Sequence, residues 1–182
     1  MVLYIIKFGV IVLAVLPVWL LVRRPWKRKQ PREWALGAFA LFVAGLLALT
    51  LEGEYGTPGQ MAGRALTRIE TGEGVNVVPF RAISQYMEHF NVEVLGINLI
   101  GNIVMFIPWG FGLVLLWKKN RHPAVIAAFS LGLPLLIETC QLFIGRSVDV
   151  DDLLLNFTGS CLGAGIFSVL RRKWPGLDRF SK

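Results

Sequence analysis

The sequence predicts an all-α, polytopic transmembrane bundle of about five spans, and three observations carry that prediction: apolar composition, long apolar runs, and unevenly placed basic residues. Hydrophobic residues make up 54% of the 182-residue chain, and the mean hydropathy of +0.58 lies far above that of a soluble domain. Lys and Arg concentrate in three short segments.

The apolar runs extend from Val2 to Val22, Trp34 to Leu51, Val94 to Trp117, Ala124 to Ile144 and Leu153 to Leu170. Each approaches the roughly 17 to 25 residues that cross a bilayer as helix. The first run carries one early charge, Lys7, has its basic cluster after it, and is followed by no small-residue cleavage site, so it reads as an uncleaved span. Arg23, Arg24, Lys27, Arg28, Lys29 and Arg32 follow that run, Lys118, Lys119 and Arg121 follow the third, and Arg171, Arg172, Lys173, Arg179 and Lys182 follow the fifth. By the positive-inside rule these segments are cytoplasmic, which leaves the amino terminus outside and the carboxyl terminus inside. Anionic inner-leaflet lipid then accounts for the net charge of +7 without a nucleic-acid partner.

Three regions result: residues 1–51, two spans joined by a basic loop; residues 52–93, an outer connection; and residues 94–182, a three-helix core with a basic tail. No internal repeat or low-complexity tract is present. Loops as long as 52–93 are uncommon unless functional or disordered. Within it, MAGRALTRI (61–69) and ISQYMEHF (83–90) read as short amphipathic helices for the membrane interface, so the connection either lids the outer face or is a solvated connector.

Polar residues converge at one depth. Asn98 and Asn102 stack on one face at the outer start of the third span, Glu138 and Gln141 lie three apart at the outer end of the fourth, and Asp149, Asp152 and Asn156 lead into the fifth. Charged or amide groups in hydrocarbon cost roughly 2 to 3 kcal/mol or more, so those retained usually face partners, water or a substrate. The short link between spans four and five makes an antiparallel hairpin and brings Glu138 near Asn156. Asp152 suits a helix N-cap or first-turn acid as well as a functional carboxylate. Arg146 suits an ion pair with Asp149 or Asp152 as well as a ligand contact. Glu138 resists a purely structural account best, since a carboxyl at its depth is either protonated or held by a cation such as Arg146 or Arg81.

Other features have simpler explanations. Gly159 and Gly163 form a GxxxG that suits close helix packing, as do Gly101, Gly110 and Gly112. Pro108 and Pro134 imply kinks. Cys140 and Cys161 read as free thiols, and His89 and His122 fall on opposite sides, so no zinc site is expected. Glu138, Asp149, Asp152 and Asn156 are oxygen donors of the type that Mg²⁺ or Ca²⁺ prefer, but no metal signature organises them and no cofactor is expected.

Asn76-x-x-Pro79-Phe80, NLIGNIVMFIPWGF (98–111) and LIETCQLFIGRSVDVDDLLLNFTGSCLG (136–163) together resemble the VanZ-like membrane family over about residues 76–165. The resemblance carries the family pattern onto Asn98, Asn102, Phe106, Pro108, Gly110, Glu138, Gln141, Arg146, Asp149, Asp152, Asn156, Gly159 and Gly163. Trp109 departs from the small or aliphatic residue usual after the proline, and the first two spans match weakly. It implies a multi-pass protein of the bacterial cell membrane, similar to one that gives low-level resistance to teicoplanin, a lipid-bearing glycopeptide. It implies no mechanism.

An outward polar pocket would suit a ligand with a polar head and a tail in lipid: a membrane lipid, a lipid-linked envelope precursor, or the acylated antibiotic. Two function classes fit. A binder would grip the head group through Asn98, Asn102, Gln141, Asp149, Asn156 and Arg81. An enzyme, a hydrolase or transferase on a lipid-linked phosphate or ester, would use Glu138 and Asp152 as acid and base with Arg146 stabilising anionic charge. The absence of a Ser/His/Asp set and of a Gly-rich phosphate loop weighs against catalysis. A channel fits less well, because no polar residues continue the layer through the inner half.

Overall fold

The computed structural model describes residues 2–28, 30–81, 84 and 92–182. Five helices are long and apolar enough to cross a membrane: α1 (Val2–Arg23), α3 (Pro31–Thr50), α5 (Val92–Leu116), α6 (Pro123–Phe143) and α7 (Val150–Lys173). Two shorter helices, α2 (Pro25–Arg28) and α4 (Pro58–Thr71), and two short strands, β1 (Val75–Asn76) and β2 (Val148–Asp149), complete the described elements with 3-10 turns at 118–121 and 175–180. The expected all-α polytopic bundle is the observed one. Of the second expected interfacial helix, 83–90, only Ser84 is described; the rest, His89 included, lies outside the described residues.

Local sequence explains the helix limits. Pro31 and Pro123 open α3 and α6 at first-turn positions, where the missing N–H would have had no helical partner. Thr57 and Gln60 form a reciprocal capping box on α4, which ends at Gly72 with φ +72°. Gly145, at φ +78°, turns the chain out of α6.

Small residues bring α5 and α7 together. A Cβ on Gly159 or Gly163 would collide with the carbonyl oxygens of Ile103 and Ile107, and one on Gly110 with that of Ser160. Lipid tails are as apolar as the helices, so such close backbone approach supplies the association energy that hydrophobic burial supplies in water. Phe106, Ile137 and Leu46 then join α5, α6 and α3 in one buried cluster, while Val114, Ala164 and Phe167 fill the α5–α7 seam. Trp109 is explained by its place at this joint: it stacks on Phe39 of α3 with ring centroids 5.5 Å apart and donates its indole N–H to Phe129 O at 3.2 Å. Leu13, Leu21, Val104, Leu136 and Val169 point outward and remain exposed, as lipid-facing side chains must.

The three basic segments meet at one end of the bundle. Arg32 donates to Leu116 O, the Lys118 amide to Lys182 O at 2.9 Å, and Arg121 to Asp178 at 2.8 Å. Their convergence is what alternating spans require of segments that follow the first, third and fifth. At the other end, α4 packs on α6 and the two strands tie residues 75–76 to 148–149. The connection is therefore pinned to the core over its described residues, and MAGRALTRI (61–69) lies within the helix α4.

Candidate functional site

The short link after α6 and the outer connection build the polar end jointly. β1 and β2 pair in parallel, Val75 with Val148 and Asn76 with Asp149. Asn76 Nδ2 donates to Asp149 Oδ1 at 2.8 Å, and the same oxygen accepts the Asp151 amide at 2.8 Å, which makes Asp149 the N-cap of α7. The Asp149 amide in turn donates to Glu138 Oε2 at 3.0 Å. Glu138, only 5% exposed, thus holds the strand pair from below.

Two more carboxylates extend the network. Asp151 is buried and accepts the Phe80 amide, and Asn102 Nδ2 on α5 donates to Asp152 Oδ1 at 2.6 Å. Phe80 sits in the left-handed region at φ +66°, an unfavourable conformation for a bulky residue. Its strain is tied to the contact with Asp151. Four carboxylates thus crowd the start of α7, where the positive end of the helix dipole and donated backbone amides offset their repulsion.

Several expectations need correction. Of the two structural places open to Asp152 it takes the first-turn one, and Asp149 is the N-cap, because the helix begins three residues before Leu153. Arg146 forms no ion pair with Asp149 or Asp152 among the described residues; its guanidinium reaches Glu52 O at 3.5 Å and stays exposed. Glu138 is held by a backbone amide rather than by Arg146 or Arg81. Gln141 reaches sideways to Thr50 O at 2.8 Å and ties α6 to the last turn of α3. Asn98 is exposed one turn before Asn102. Asn156 is buried on α7 with its side-chain oxygen unpartnered among the described residues.

Apart from the exposed Asn98 and Arg146, the sequence residues fall into two groups. Glu138, Gln141, Asn156 and, half-buried, Asn102 and Asp152 lie within the bundle. Arg81 and Asp149, with Asn76 and Ser147, line an open groove of about 250 Å³ beside the strand pair. Asn76 and Asp151 were not among the candidate site residues. Asn76 was visible in the NxxPF motif, but Asp151 stands in a run of acids in which nothing local distinguishes it. Arg64 and Arg68 of α4 brace this end: Arg64 donates to Glu54 O at 2.7 Å, Arg68 to Gly74 O at 3.0 Å.

Among the described residues no group of three or more His, Cys, Asp or Glu is arranged to hold a metal ion. Cys140 and Cys161 are free thiols. What the groove offers is a guanidinium next to a carboxylate and an amide, a set that suits a head group carrying both phosphate and hydroxyl or amine functions.

No curated protein matches the chain, and no solved structure does. The VanZ/LLP1 family model matches residues 38–171, reaching further than 76–165 to take in most of α3. With its polar end, its paired glycines and most of its length inside that match, the chain is a member of the VanZ/LLP1 family.

Proposed function

We propose that this membrane protein binds the polar head of a lipid-linked cell-envelope component, or of an acylated glycopeptide such as teicoplanin, in the groove beside β1 and β2. The bacterial plasma membrane is its location in this reading, with the groove facing outward. One observation carries it: the Arg81, Asn76 and Asp149 groove opens beside a hydrogen-bonded frame of Asn76, Asp149 and Glu138. Preorganised polar groups of this kind favour binding, because they need little reordering when a ligand arrives. Exposed Val77, Val78 and Phe80 on the same connection give a lipid tail apolar surface to follow.

Binding fits the geometry better than catalysis, since Glu138, one of the two carboxylates an enzyme would use, is already committed to a backbone donor. The enzymatic alternative rests on Asp152, a half-buried carboxylate with Asn102 orienting it. Expression in a sensitive bacterium separates the two when wild type, Arg81→Gln and Asp152→Asn are matched for membrane level. A binder predicts protection against teicoplanin but not vancomycin, lost with Arg81→Gln and largely retained with Asp152→Asn. Loss of protection with Asp152→Asn alone, with binding intact, would favour the enzyme.

A further inference from the structure

The basic end of the bundle holds a second, unrelated cavity of about 820 Å³ between α1, the start of α3 and the carboxyl-terminal tail. Its charge is lopsided. Arg23 holds Glu33 through two hydrogen bonds of 3.0 and 3.1 Å, and Arg28 adds a third at 3.4 Å, so the one carboxylate side chain lining the cavity is fully engaged. Arg32, which donates to Leu116 O, and Arg179 line the same cavity and have no carboxylate partner among the described residues. Such an uncompensated cluster calls for an anion.

An independent feature points the same way. Trp19 lines the cavity, and its indole N–H is buried without a hydrogen-bond partner among the described residues. Its ring packs so closely on Gly37 that a Cβ there would come within 2.8 Å. The ring that carries the donor is therefore held in place at the cavity wall. A buried donor with no acceptor is an expensive feature unless a ligand completes it.

Further into the span, Leu36 and Ala40 supply an apolar wall, and Trp117 stands at the rim. Phosphate at the polar end and hydrocarbon along the wall describe one ligand class. We propose that this cavity binds an anionic glycerophospholipid, its phosphate held by Arg32, Arg179 and the Trp19 N–H and its acyl chains running along α3.

The test titrates the full chain, purified in neutral detergent, with phosphatidylglycerol, phosphatidylcholine or inorganic phosphate, and reads bound lipid by native mass spectrometry. Phosphatidylglycerol should bind at least about tenfold more tightly than phosphatidylcholine, and inorganic phosphate should not displace it. Arg179→Gln changes an exposed side chain with no hydrogen bond to the protein among the described residues, so it preserves the fold, and it should weaken phosphatidylglycerol about fivefold. Trp19→Phe keeps an aromatic ring, removes the donor, and should weaken binding as well. Equal binding of the two lipids, or wild-type affinity in both variants, would overturn the proposal. Displacement by inorganic phosphate would replace it with a site for a free anion.

Discussion

Glu138 is the residue whose chemistry most constrains the polar end. Its Oε2 accepts the Asp149 amide, so Glu138→Gln, which keeps a carbonyl oxygen at that place, should leave the thermal midpoint nearly unchanged. Glu138→Leu should lower stability by about 1–3 kcal/mol, because it strands a buried N–H. Thermal unfolding in detergent compares the two. At the opposite end, Asp178 is partly desolvated, which pushes its carboxyl up, but hydrogen bonds from Arg121 and Arg171 outweigh this and hold it below the usual carboxylate range. Its folded pKa is thus the lower one, and its contribution is fully present above the ordinary carboxylate pKa and disappears as pH falls through the folded value. The difference in midpoint between wild type and Asp178→Asn should be present at neutral pH and close under acid. A difference that persists through the acid range would refute the clamp.

Among elements, α7 does the most, since it caps on Asp149, offers Asp151 and Asp152 to the polar end, and presents Gly159 and Gly163 to α5. Gly163→Ala should cost about 1–3 kcal/mol by forcing α7 off the Ile107 carbonyl, measured as a fall in the unfolding midpoint. Gly165, which has open space at its Cβ position, should accept Ala with little change. The GxxxG was readable because small residues four apart have one face to share. The N-cap was not, since in the run Asp149–Val150–Asp151–Asp152 any of the acids satisfies local rules, and only the strand partner Asn76, 73 residues earlier, selects Asp149. The strand pair was equally invisible: two residues each, held across that separation, leave no periodic signal. By contrast, the pattern of MAGRALTRI (61–69) was legible, and α4 contains it.

At the scale of the whole molecule, the bilayer made the fold readable. A span must remain apolar for about twenty residues, so five runs announce five helices, and the polar residues that interrupt them announce a shared end. What spacing does not convey is which partner each polar group takes. Gln141 reaches α3, Arg146 turns outward, and Glu138 meets a backbone amide rather than a cation. In the proposed function these groups form a frame, and the groove at Arg81 and Asp149 is where a head group would dock.

The most direct test is binding of teicoplanin and vancomycin to the full chain in lipid nanodiscs, measured beside Arg81→Gln. The account predicts saturable binding of teicoplanin, weaker by about tenfold or more in the variant because a charge-assisted contact is lost, and little binding of vancomycin. Teicoplanin binding that is equally strong in Arg81→Gln, or indistinguishable from binding to empty nanodiscs, would contradict it.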